Sequence, residues 1–183
     1  MAACGATGRP AGRLPSASTQ AAEPSAGPFA PTPYTARQLR EATHVGRRYV
    51  FDVEAQGEAP QQQMVTFTEV NDDGLESQSV VRDERGAELK PPKKIKATWE
   101  ELRKHAEFPR AAVTLGEEMV ALPAGIFDCV VYTVRKGEGP GDEISRFYFA
   151  KSLPGAPVFF TTDKAGVRVF TQKLVEHHPG GAS

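Results

Sequence analysis

The 183-residue chain has two cysteines, Cys4 and Cys129. No disulfide framework can staple it, so its folded part must bury a core of its own. The four histidines are scattered, with no His-Glu-x-x-His and no Cys-x-x-Cys, so no metal site is expected. Neither sign of charge prevails: 22 Lys and Arg stand against 23 Asp and Glu, a net of −1. That excludes a bulk polycation, and no nucleic-acid partner is expected. No stretch approaches the ~18 consecutive apolar residues of a membrane-spanning helix. A Gly-x-Ser-x-Gly elbow is absent. The glycine-rich stretch Gly137–Gly141 lacks the Lys-Ser/Thr of a phosphate loop; Asp142 and Glu143 follow it, so it reads as a hairpin loop. Cys129 sits among Phe127, Val130 and Val131, an apolar setting that suits a buried core thiol and not a nucleophile. No catalytic residue, no cofactor and no enzymatic activity are expected.

What is present begins with a change of composition. Of the first 36 residues, 27 are Ala, Pro, Gly, Thr or Ser, and only Arg9, Arg13 and Glu23 are charged. Such a stretch buries too little apolar surface to offset the entropy of ordering it. Residues 1–36 therefore read as a flexible tether, residues 37–176 as one folded domain, and residues 177–183 as a frayed tail. About 140 residues suffice for a core without staples. Near the start, Met1-Ala2-Ala3-Cys4-Gly5 resembles the processing site of bacterial lipoproteins, where small residues flank a cysteine that becomes the lipidated N-terminus. The resemblance implies that Cys4 carries a lipid and that the tether holds the domain off a membrane.

In the domain, apolar residues recur with period two, the signature of half-buried strands. Tyr49, Phe51 and Val53 share one face of a strand, and Met64–Val70 and Leu75–Arg82 follow. Asn71–Gly74, Asp83–Gly86 and Asp163–Gly166 each carry the Asx-to-Gly chemistry of a tight reversal and predict hairpins. A short strand is expected at Ala87–Leu89, ended by Pro91-Pro92. Thr98 and Glu101 form a capping box for a helix over Trp99–Glu107, with Trp99, Leu102 and Ala106 on one face. A shorter helical turn is expected after Thr35. The second half predicts strands at Val113–Leu122, Ile126–Arg135, Ile144–Ala150, Val158–Thr162 and Val167–Leu174. The expected fold is mainly β (α+β): a curved antiparallel sheet or half-barrel of about eight strands wrapped on one short helix. Lys90, Lys93, Lys94, Lys96, Arg103 and Lys104 form a basic cluster, read as a solvated approach to that helix or as a contact for anionic headgroups.

The bend Pro123–Cys129 (Pro-Ala-Gly-x-Phe-x-Cys), the later Leu153–Val158 (Leu-Pro-Gly-x-Pro-Val) and the closing hairpin resemble bacterial envelope lipoprotein domains similar to the LolA/LolB half-barrel class. The resemblance covers roughly Trp99 to Leu174. It implies a non-enzymatic envelope protein, anchored by lipid on the periplasmic side of a membrane, whose concave face holds an apolar ligand, a lipid or a protein partner. Phe127, Val131, Phe147, Phe149 and Phe160, with Trp99 and Leu102 of the helix, are the expected pocket residues, because one short helix cannot cover that much apolar sheet. The other readings are a β-rich scaffold or interaction protein with a dry core, soluble or cytoplasmic, and, last, an enzyme.

Overall fold

The computed structural model describes residues 27–181 apart from Glu138 and Pro140. Cys4 and most of the expected tether lie outside the described residues. Nine antiparallel strands form one open sheet: β1 (Arg48–Ala55), β2 (Gln61–Val70), β3 (Gly74–Asp83), β4 (Lys93–Thr98), β5 (Val113–Leu122), β6 (Gly125–Lys136), β7 (Glu143–Ala150), β8 (Phe159–Lys164) and β9 (Val167–His178). Their order is β4-β3-β2-β1-β9-β8-β7-β6-β5. Almost every strand therefore pairs with its neighbour in sequence, as short turns require. The exception is β1, which also takes the last strand, β9, at the centre of the sheet. β5 and β9 touch although three strands separate them, so this half of the sheet is strongly curled.

Two predicted turns are built as their residues dictate. The Asn71 side-chain oxygen accepts from the amides of Asp73 and Gly74, both at 3.0 Å, which reverses the chain between β2 and β3. Between β8 and β9, Ala165 and Gly166 have φ of 50° and 79°, the two positive values of a type I′ turn. The third departs from expectation. The Asp83–Gly86 turn forms, but Ala87–Leu89 yields only a single bridge, Arg82 to Glu88. Pro91 and Pro92 have no amide to continue the ladder. The strand that does pair with β3 is Lys93–Thr98, which brings the count to nine where about eight were expected. Its alternation of Lys with Ile95 and Ala97 is that of a charged edge strand.

The helices are α1 (Ala36–Ala42) and α2 (Trp99–Lys104). Each starts from a complete capping box, Thr35 with Gln38 and Thr98 with Glu101. They pack against each other on one face of the sheet. α2 is thus joined by a second helix and ends earlier than Glu107.

The domain also extends past the expected limits of 37 and 176. Ala30 and Tyr34 are buried in the core. Phe29 bridges to Pro109, the Tyr132 hydroxyl donates to Pro31 O at 2.6 Å, and the Tyr34 hydroxyl donates to Ala150 O at 2.6 Å. Tyr34 is the aromatic anchor that docks this Pro-rich segment on the core. At the other end, His177 and His178 pair with Tyr49 and Arg48 in the central ladder.

Candidate functional site

Paired residues in a sheet project from the same face, so the register identifies which side chains meet the helices. One row crosses the sheet through Ile95, Ser77 and Phe67, and continues with Val65 and Tyr49, then Phe51 and Leu174, then Phe160, Phe147 and Tyr132. α1 and α2 lie over this row and leave a cavity of about 380 Å³ between helices and sheet. Its wall is almost wholly carbon. The volume lies within the ~300–1,000 Å³ range of small-molecule sites.

Trp99 roofs the cavity as the first residue of α2. The indole is buried, and its Nε1 donates to Asn71 O at 3.0 Å, which ties the helix start to the β2–β3 turn. Leu102, one turn on, also lines the cavity, as do Phe147 and Phe149 of β7. Phe160 shares their face and stacks on Phe147 with centroids 4.4 Å apart, but it sits outside the cavity wall. Phe127 and Val131 do not reach the cavity. Val131 pairs with Tyr148 and Cys129 with Ala150, so these residues project from the other side of β6 and β7, into a second cluster that the curl of the sheet also closes with Tyr49, Phe51 and Leu174. The alternation within each strand is as read from sequence. The offset between strands is one residue different, and a one-residue slip moves a whole strand to the other face. Cys129 is completely buried there, and burial pushes its thiol up to about 11.

The other half of the wall comes from Tyr49, Phe51, Phe67 and Ile95 of the first four strands and from Tyr34 and Leu39 before them. The sequence carries a signal for Tyr49 and Phe51, which alternate in β1. Nothing local marks Tyr34; Leu39 is the one large apolar residue of the helical turn expected after Thr35, but its place over the sheet depends on how the segment before β1 docks.

A polar group adjoins one end of the cavity, where Thr43, Tyr49 and Gly155 form the wall. Arg47, the residue before β1, lies behind that wall, is 2% exposed and has no carboxylate partner among the described residues. Its Nη1 donates to Ala42 O at 2.8 Å and Thr43 Oγ1 at 3.2 Å, at the C-terminus of α1, and its Nε points at His177 Nε2 at 3.4 Å. The guanidinium lies over the Tyr49 ring, 4.9 Å from its centre. The Tyr49 hydroxyl is buried and has no hydrogen-bond partner among the described residues. Burial raises that phenol to about 12 and pulls the Arg47 guanidinium below its usual range. Burial also lowers His177, helped by Arg47 and His178. Gly155, with φ of 153°, closes over the pair; a Cβ there would meet Tyr49 Oη at 2.4 Å.

Three of the six residues of the basic cluster are paired with carboxylates within the fold. Lys94 and Lys96 reach the buried Glu76 side chain at 2.8 and 3.4 Å, and Arg103 reaches Glu100 and Glu107, each at 2.6 Å. Lys94 is the main cause of the lowered Glu76 carboxyl. No group of three metal-ligating side chains converges among the described residues.

No family model matches the chain, and no curated protein matches it. Two solved structures share its fold. One is a presumed lipoprotein of Parabacteroides distasonis ATCC 8503, at 14% identity and a TM-score of 0.50, the match covering 74% of this chain and 96% of that one. The other is MucB, at 10% identity and a TM-score of 0.51, covering 80% of this chain but 58% of MucB. The chain is similar to both in the path of its backbone: one open, antiparallel, mainly β sheet carrying short helices.

Proposed function

We propose that this protein is a non-enzymatic lipoprotein of the bacterial cell envelope that holds an apolar chain between its helices and its sheet, as in the LolA/LolB half-barrel class. The observation that carries this reading is the carbon-lined cavity under Trp99. A domain with a dry core closes such a space, because each large apolar side chain that fills it gains ~1.5–3 kcal/mol. Here the roof is two short helices, and Phe147, Phe149, Phe51 and Phe67 remain facing open volume. The envelope location is supported by the small-residue frame around Cys4, by the tether composition and by the likeness to a presumed lipoprotein.

A fluorescent fatty-acid analogue tests the reading. It binds in the micromolar range, and Trp99 emission shifts as the chain enters beside the indole. If analogues of several chain lengths leave Trp99 emission unchanged, the domain is a dry scaffold whose partners are proteins. The anchor has its own test. In the native cell, Cys4→Ala moves the protein from the membrane to the soluble fraction; equal retention in the membrane contradicts lipidation at Cys4.

A further inference from the structure

Of the polar pair at the end of the cavity, Tyr49 lines the wall and Arg47 lies behind it, over the Tyr49 ring. A buried charge costs several kcal/mol unless it is paired, and a buried hydroxyl ordinarily finds a partner. Arg47 and Tyr49 break both rules at one place. Arg47 spends Nε and Nη1 on His177, Ala42 and Thr43, three neutral acceptors. Among the described residues its Nη2 donates to nothing, and no carboxylate offsets its charge. Tyr49 lines the cavity, is 1% exposed and keeps an unpaired hydroxyl. Both groups face the same backbone: Tyr49 Oη lies 2.4 Å and Arg47 Nη2 lies 3.7 Å from the point a Gly155 side chain would occupy, and Gly155 itself lines the cavity.

We infer that the chain held in the cavity ends in an oxyanion, a carboxylate or a phosphate, received by Arg47 Nη2 and the Tyr49 hydroxyl. This rests on the apolar-chain reading above and names the ligand class: a single-chain anionic amphiphile. An oxyanion supplies both missing partners. It accepts from a guanidinium in a charge-assisted bond, the strong kind, and it accepts from the phenol, which burial keeps protonated. Gly155 leaves no side chain in the way. Gly155 closes over the pair, so the head group enters by shifting the turn that carries it while the tail lies along Phe149 and Trp99.

Titration calorimetry on the full chain, with ligands that share one twelve-carbon tail and are kept below micelle formation, separates the head from the tail. Dodecanoate and dodecyl phosphate are expected to bind at least tenfold more tightly than dodecanol, and dodecyltrimethylammonium most weakly. The tighter of the two anions identifies the oxyanion. Inorganic phosphate, which has no tail, leaves dodecanoate binding unchanged; full competition by it would overturn the amphiphile assignment. Arg47→Gln and Tyr49→Phe each bring the ratio of dodecanoate to dodecanol affinity down several-fold. Tyr49→Phe keeps the ring and its packing, so the test stands even if Arg47→Gln does not fold. Equal binding of dodecanoate and dodecanol by the unmodified protein refutes the head-group site while leaving the cavity reading intact. If no twelve-carbon ligand binds, both fall.

Discussion

Replacing Tyr49 by Phe removes one oxygen and nothing else, and the structure fixes the sign of the result. The ring stacks on Phe51 at 5.8 Å, meets Phe67 edge-on at 6.0 Å and carries the Arg47 guanidinium at 4.9 Å. All three contacts survive in Phe. The hydroxyl has lost its water and gained no partner. Leaving such a group unsatisfied costs ~1–3 kcal/mol, so Tyr49→Phe is expected to stabilise the ligand-free protein by about 1 kcal/mol. For a domain of this size that raises Tm by about 2–4 °C. Urea unfolding followed by circular dichroism should show a higher midpoint with an unchanged slope, since the buried surface is the same. With saturating dodecanoate the order reverses, because the wild-type hydroxyl then has an acceptor and the variant has none. A ligand-free variant destabilised by 1 kcal/mol or more would show that the hydroxyl is already satisfied, and would remove half the argument for a head-group site.

Other positions give independent checks. Gly74 has no room for a methyl group: a Cβ would lie 2.2 Å from the backbone oxygen of Ala97. Gly74→Ala should therefore cost about 3 kcal/mol, the upper end of common single-site losses, and a neutral effect in urea melts would contradict the β3–β4 register. His177 should make stability fall as pH drops below 6.5. Its folded value is depressed, so the unfolded chain takes up the proton first; above 6.5 both states are neutral and the term vanishes. His177→Gln should flatten that part of the pH profile, and an unaltered slope would place the titrating group elsewhere. The Cys129 thiol, fully buried and raised to about 11, should resist a thiol reagent at pH 8 until the protein unfolds. Prompt labelling of the native fold, scored by mass after proteolysis so that Cys4 is counted separately, would contradict its place in the core.

Much of the architecture was legible because local chemistry and tertiary structure agree. The Asn71 and Asp163 turns, the Thr98 capping box and the alternation of Tyr49, Phe51 and Val53 all lead to the elements observed. β4 escaped because Lys93, Lys94 and Lys96 dominate it. An edge strand answers to solvent on one side, so its pattern is charge with only Ile95 and Ala97 facing inward. Tyr34 escaped because its burial depends on a carbonyl of Ala150, far along the chain, which no local period records. The candidate site was half legible for a related reason. Periodicity separated the two faces of each strand, so Phe147 with Phe149 and Phe127 with Val131 were grouped correctly. Assigning both groups to one pocket required the β6–β7 register, which follows from long-range packing.

The proposed function puts an amphiphile in the cavity beneath Trp99 and a lipid on Cys4. Native mass spectrometry of the protein purified from its own membrane fraction addresses this most directly. An acyl modification that maps to Cys4 is expected and, on the intact domain, an additional non-covalent mass that leaves on unfolding and carries an anionic head. An unmodified polypeptide that sheds no ligand on unfolding would contradict it.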